Sequence, residues 1–143
     1  MTPWDFGNPH VVMLEALAAD IDAYDHVNNS VYLSWLDRAA WSHSAILGLN
    51  LQGCVTMRRG MAAHRTEIDY LRAALLGDRV LVGTWIVDTD SKLRVERRFQ
   101  IRREADGETL ARARIDYVCI NLDSGRAVRM PESFRNAYIV TAG

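Results

Sequence analysis

From Tyr32 onward the bulky side chains fall at Tyr32, Trp35, Leu36, Ala39, Ala40, His43, Ile46 and Leu47, the i, i+3, i+4, i+7 recurrence of one buried helix face. Asn28, Asn29 and Ser30 stand at its start as capping side chains, and Gly48 supplies its stop. Elsewhere the period is that of strands. Residues 10–19 form an apolar run of strand length behind Asn8-Pro9, and residues 61–72 alternate Arg65, Glu67 and Asp69 against Thr66, Ile68 and Tyr70, as a strand with one wet face does. Gly77-Asp78 turns the chain into residues 80–87, rich in β-branched and aromatic side chains. A polar turn at residues 88–91 then leads to residues 93–103, which alternate through Val95, Arg97, Phe99 and Ile101. Asp106-Gly107 marks a hairpin turn into a last long strand at residues 109–121, closed by Asp123-Ser124-Gly125, and residues 131–138 predict a short closing helix. Residues 50–60, with the basic pair Arg58-Arg59, read as a connection with room for a short strand. The pairs Arg97-Arg98 and Arg102-Arg103 read as solvated strand faces.

One strand, one long apolar helix and about four strands joined by tight turns predict an α+β fold, with an antiparallel sheet of long strands wrapped around the helix. At 143 residues the expectation is a single domain, residues 1–143. The second sheet face and the edge strands would be left bare, which predicts an oligomer.

Composition narrows the function classes. Apolar residues make up 49% and charged residues 24%, with a formal net charge of −1, so neither disorder nor a nucleic-acid partner is expected. The first residues lack a basic segment followed by an apolar run, and no stretch is long enough to span a bilayer; no membrane span and a cytoplasmic location are the expectations. Cys54 and Cys119 lack the spacing of a disulfide framework and the partners of a zinc site, so they read as small buried side chains, and no metal or cofactor is expected.

Chemistry concentrates just ahead of the helix. Asp20, Asp22 and Asp25 crowd the turn before it, and on residue type alone the three have equal claim. The first turn of a helix carries unpaired N–H groups and positive potential, so it can hold an oxygen that becomes negative when an acyl carbon is attacked. A carboxylate seven residues before that helix start can face the same carbon.

Three stretches resemble one family, the hotdog-fold acyl-CoA thioesterases of the 4-hydroxybenzoyl-CoA thioesterase type with their long-chain and YbgC-like branches. Residues 20–32 are similar to its Asp-x-Asp-x-x-x-His-Val-Asn-Asn-x-x-Tyr motif, through Asp20, Asp22, His26, Val27, Asn28, Asn29 and Tyr32. Residues 70–78 are close to Tyr-Leu-Arg-Pro-Ala-x-x-Gly-Asp, with Ala73 in place of the proline, and residues 113–126 with Pro131 resemble the family's last strand and tail. The resemblance implies a hotdog fold of five or six strands around one central helix. It also implies a homodimer or homotetramer with active sites at the subunit interface, and an acyl-CoA substrate. It puts the catalytic carboxylate at Asp22 and the carbonyl-polarising amide at Asn29. His26, Asn28, Tyr32, His64 and Arg72 are the further substrate-binding candidates. For the coenzyme A phosphates the candidates are Arg58, Arg59, Arg72, Lys92 and Arg94. One branch of the family places a basic cluster at the turn that here reads Asp88-Thr89-Asp90-Ser91, so the acyl carrier is coenzyme A held in another way or an acyl carrier protein.

Two other functions remain in view. A hotdog hydratase would need Asp and His five apart in an Asp-x-Asn-Pro-x-His pattern, whereas Asp22 and His26 are four apart with no proline between them. A non-catalytic hotdog protein that binds acyl groups or scaffolds an assembly would have no use for Asp22 beside that helix start.

Overall fold

The alternation read from the sequence becomes a five-stranded antiparallel sheet in the computed structural model, which describes residues 3–143. Strands β1 (His10–Glu15), β2 (Arg59–Tyr70), β3 (Arg79–Thr89), β4 (Arg94–Arg103) and β5 (Thr109–Asn121) lie in the order β1-β3-β4-β5-β2. The register sets His10, Val12 and Leu14 of β1 opposite Thr84, Val82 and Val80 of β3, and Thr84, Val82 and Ile86 opposite Phe99, Ile101 and Arg97 of β4. Because side chains alternate across a strand, these residues share one inner face. Helix α1 (Asn29–Ile46) lies on that face and buries Tyr32, Trp35, Leu36 and Ala39 among Val80, Val82, Phe99, Ile101 and Ile115. Leu36 is fully buried, so shortening it to alanine costs about 2–5 kcal/mol. The α+β class, the strand count and the central helix agree with the sequence reading.

The helix ends are well specified. Asn28 caps α1 by accepting from the Ser30 N–H at 2.9 Å and its hydroxyl at 2.8 Å. At the other end Leu49 N–H reaches the Ser44 carbonyl and Gly48 N–H the Ala45 carbonyl, a Schellman closure that needs the positive φ of Gly48, +94°. Ile46, expected on the buried face, is exposed, since the helix stops before its side chain reaches the sheet.

Several expectations are corrected. The first strand ends at Glu15, and Ala18–Asp20 form a 3₁₀ turn because the Asp20 carboxylate takes the Leu17 N–H at 2.9 Å. In place of a short strand before residue 59 there is a second helix, α2 (Leu51–Met57), capped by Asn50, whose side chain accepts from Gly53 N–H at 2.8 Å. Strand β3 runs to Thr89, and the turn sits at Asp90, whose carboxylate gathers the N–H groups of Lys92, Leu93 and Arg94. The arginine pairs are not solvated faces. Arg97 is 3% exposed. Arg102 stacks over the Trp4 ring, and Arg103 bonds Asp78, Asp106 and the Ala73 carbonyl. Arg98 is paired with Glu96 at 2.8 Å.

A second cluster closes one end of the sheet, where α2, the short helix α3 (Glu132–Ala137) and Tyr138 pack Cys54, Phe134 and Met130 against Ile86, Val95 and Cys119. Both cysteines are free and buried, as the sequence suggested. The N-terminal segment crosses the outer face: Trp4 and Phe6 stand edge-on to Trp85, Trp85 Nε1–H donates to the Gly7 carbonyl, and Gly7 pairs with Gly143. No described helix is long and apolar enough to cross a membrane.

Candidate active site

The turn at residues 20–28 is a narrow loop closed on itself. Asp22 N–H donates to the His26 carbonyl at 2.8 Å, Asp25 N–H to the Asp22 carbonyl at 3.1 Å, and Ile21 bridges Val27. Asp25 takes a positive φ of +62°, tolerated by a short polar side chain. Asn28 N–H then bonds the Asp20 carbonyl at 2.8 Å, drawing the strand of the turn that carries Asp22 against the one that opens α1.

Two groups in this loop are left with unused capacity. One carboxylate oxygen of Asp22 accepts the Tyr24 N–H at 2.9 Å, while the other makes no hydrogen bond among the described residues. At the helix start Ser30 N–H is taken by the Asn28 side chain and Val31 N–H by the Asn28 carbonyl, but Asn29 N–H donates to no group among the described residues. It therefore adds an open donor to the positive end of an 18-residue helix.

The loop is braced from behind. Val27 N–H donates to the Ala74 carbonyl, and Ala74 N–H donates to the Tyr32 hydroxyl, each at 2.9 Å. Asp78 holds the same 71–78 connection through Leu75 N–H and Arg103. The motif residues at 20–32 and 70–78 are thus one bonded unit.

The remaining candidates fall in different places. Tyr32 is 2% exposed, its hydroxyl taken by Ala74, so it reaches the loop as a brace. Asn28 caps the helix beside Asn29. His26 is exposed, and its ring has no hydrogen-bond partner among the described residues. His64 occupies the bulge where the β2–β5 register shifts, on the exposed stretch of the edge strand. Arg72 is exposed beyond β2, 3.7 Å from Glu108, and Arg58 is tied to Asp123 at 2.7 Å.

A polar layer at the far end of α1 escaped the sequence reading. His43 Nδ1 lies 2.8 Å from Arg97, Ser44 Oγ lies 2.9 Å from the Tyr138 hydroxyl, and the His10 ring stacks on His43 at 4.9 Å. Burial and the Arg97 guanidinium push the His43 imidazole down to about 4, and His10 is lowered by the same two causes. The available signal was polar residues on apolar faces: His43 and Ser44 in the helix stripe, Arg97 in the Val95–Ile101 row.

A long helix packed on one face of a five-stranded antiparallel sheet is the hotdog arrangement. The chain belongs to the Thioesterase-like superfamily, whose model matches residues 16–138. It is 28% identical over 119 residues, covering 80% of this chain and 86% of the relative, to the long-chain acyl-CoA thioesterase FadM of Escherichia coli (strain K12). The fold is shared with a 1,4-dihydroxy-2-naphthoyl-CoA thioesterase from Synechocystis, at a TM-score of 0.82 and 23% identity over 92% of this chain and 96% of that one. It is shared also with a Staphylococcus aureus protein in complex with CoA, at a TM-score of 0.83 and 22% identity over 91% and 81%. Membership bears out the family resemblance, and with it the reading of the chain as a thioester hydrolase.

Proposed function

We propose that the chain hydrolyses an acyl-CoA thioester to the free acid and the thiol, with Asp22 as the reacting carboxylate and the Asn29 N–H as the group that polarises the carbonyl. The observation that carries this reading is an Asp22 oxygen and an Asn29 N–H, both unengaged among the described residues, at the two ends of one closed loop. The partial positive charge of the helix end stabilises the oxyanion as the carbonyl carbon becomes tetrahedral. Asp22 then acts either by taking a proton from the attacking water or by attacking itself, giving a mixed anhydride that water opens. In both routes the thiolate leaves and takes up a proton. Asn28 orients the amide by capping the helix, and His26, exposed beside Asp22, contacts substrate.

The site also needs a cover. The turn is exposed on one side, and β2 is an edge strand with Ala63, His64, Arg65, Thr66 and Glu67 exposed. Both features support a homodimer or homotetramer in which a second copy closes over Asp22, with Arg72 or its basic neighbours on the coenzyme A phosphates. A cytoplasmic setting suits a coenzyme A substrate.

The test is a thiol-release assay on short, long and aromatic acyl-CoAs with wild type and Asp22→Asn. Asparagine keeps an oxygen for the Tyr24 N–H, so the fold should persist while turnover falls about 10²–10⁴-fold. Hydrolysis no faster than buffer, or an Asp22→Asn rate equal to wild type, sinks the assignment.

A further inference from the structure

A cavity of about 60 Å³ opens between α1, β4, β5 and Tyr138. Its walls are of two kinds. Ala40, Trp41, Met61 and Val95 are apolar, while Arg97, Tyr117 and Tyr138 present polar groups. Arg97 is 3% exposed and interrupts the inward row Val95, Phe99, Ile101, which is otherwise apolar. Its guanidinium bonds three neutral partners, His43 Nδ1 at 2.8 Å, Ser44 Oγ at 3.3 Å and Thr84 Oγ1 at 3.4 Å. It forms no ion pair among the described residues. The five N–H donors of a guanidinium exceed these bonds by two, the Nε–H and one Nη2–H, which is what a carboxylate takes in a forked pair.

Among the described residues no anion pairs with that charge, which meets the end of α1 and the Tyr138 ring, its Cζ 6.0 Å from the ring centroid. His43 is neutral at physiological pH, and burial raises Tyr138 and pushes Tyr117 up to about 12, so neither phenol supplies an anion. Asp37, the one carboxylate on the wall, is exposed and makes no ion pair with Arg97 among the described residues. A desolvated cation on a cavity wall with free donors favours an anionic guest over an apolar or neutral one.

We propose that this cavity binds a carboxylate, and that its guest is the far end of an acyl group carrying its own acid function, so that ω-carboxyacyl thioesters are the preferred substrates. The second half rests on the thioesterase reading above. The α1 residues on its wall, Asp37 to Ser44, lie roughly 12–22 Å past Asn29 along the axis at 1.5 Å per residue, a span that an extended acyl chain of about 10 to 18 carbons covers. The apolar wall then holds the methylenes and Arg97 the terminal carboxylate.

The experiment has two arms. In the first, kcat/KM is measured for matched pairs, sebacoyl- and decanoyl-CoA, tetradecanedioyl- and myristoyl-CoA, octadecanedioyl- and stearoyl-CoA, with wild type, Arg97→Gln and Arg97→Lys. The expected result is a preference of tenfold or more, on the scale of a desolvated ion pair, for the acid-ended member of at least one pair. Arg97→Gln should abolish it and Arg97→Lys keep part of it, the preference being read for each protein as the ratio within a pair. In the second arm, free sebacate and neutral sebacamide are titrated calorimetrically into wild type and Arg97→Gln, which needs no turnover. Sebacate binding that Arg97→Gln removes supports the carboxylate site even if no thioester is cleaved, a result that would sink only the hydrolase assignment. Sebacate binding without any thioester preference overturns the role in substrate choice and assigns the site to free acid. Equal behaviour of sebacate and sebacamide on wild type, with no preference within any pair, overturns the proposal whether or not Arg97→Gln folds.

Discussion

Replacing Tyr32 by phenylalanine tests whether the two motif stretches act as one unit. The substitution keeps the ring, and with it the edge-on contacts to Trp35 and Tyr70 at 5.3 and 5.2 Å, and removes one oxygen. That oxygen accepts the Ala74 N–H at 2.9 Å where Tyr32 is 2% and Ala74 0% exposed. No water reaches the amide, so it is left buried without an acceptor, at a cost of about 1–3 kcal/mol. For a chain of this size that lowers the melting temperature by roughly 3–10 °C. Tyr70→Phe is the control. Its hydroxyl donates to the Asn29 carbonyl at 3.2 Å, yet Tyr70 is 45% exposed, so water replaces the bond and the loss should stay below about 0.5 kcal/mol. Urea unfolding of the three proteins at one pH, with equal m values, gives the comparison. Because Ala74 also holds Val27, two residues before Asn29, Tyr32→Phe should in addition lower kcat more than Tyr70→Phe does. A Tyr32→Phe protein as stable as wild type refutes the idea that this hydroxyl ties the loop at residues 20–28 to the 71–78 connection.

Other perturbations follow from the same geometry. Gly83→Ala places a Cβ 2.7 Å from the Trp4 ring and should destabilise by about 1–3 kcal/mol; in a Trp4→Ala background most of that cost should vanish, and an additive double-mutant cycle contradicts the contact. His43 is held at about 4 against an ordinary 6.5, so the unfolded chain binds its proton more readily. Its contribution to stability is complete above about pH 6.5 and is lost as pH falls toward 4, so the urea midpoint should drop more steeply over that window in wild type than in His43→Asn. Parallel curves contradict that account.

Legibility followed the range of the contacts. Strands β4 and β5, the start of α1 and the Gly48 stop were readable because alternation, capping and a glycine in positive φ are local properties. The motif at residues 20–32 singled out Asp22 and Asn29, yet only coordinates revealed that Tyr32 serves the loop through Ala74, 42 residues away. Helix α2 was missed although Asn50 stood before Leu51, Cys54 and Val55 at helical spacing; Gly53 and the basic pair that follows masked it. Arg97 is the instructive failure. Its side of β4 was legible from Val95, Phe99 and Ile101, but its charge argued for solvent, and what keeps it inside lies on α1 and β3, 53, 54 and 13 residues away.

That burial raises a stability question with a definite answer. Arg97 sits against the last turn of α1, where the helix dipole favours a cation by up to about 2 kcal/mol. Desolvating an ion in a protein costs several kcal/mol, and two of its three hydrogen bonds are long, at 3.3 and 3.4 Å. If Arg97 serves to meet an anion, the empty protein gains little from it. Arg97→Met extends the apolar row and leaves Ser44 its bond to Tyr138 and Thr84 its bond to the Arg98 carbonyl. Only His43 Nδ1 then loses a donor, a cost of about 1–3 kcal/mol, which relief of the desolvation offsets or exceeds. Arg97→Met should therefore unfold at the same urea concentration as wild type or a higher one, while losing any preference for acid-ended thioesters. A loss of several kcal/mol would instead make Arg97 a structural residue, with its charge spent on holding the end of α1.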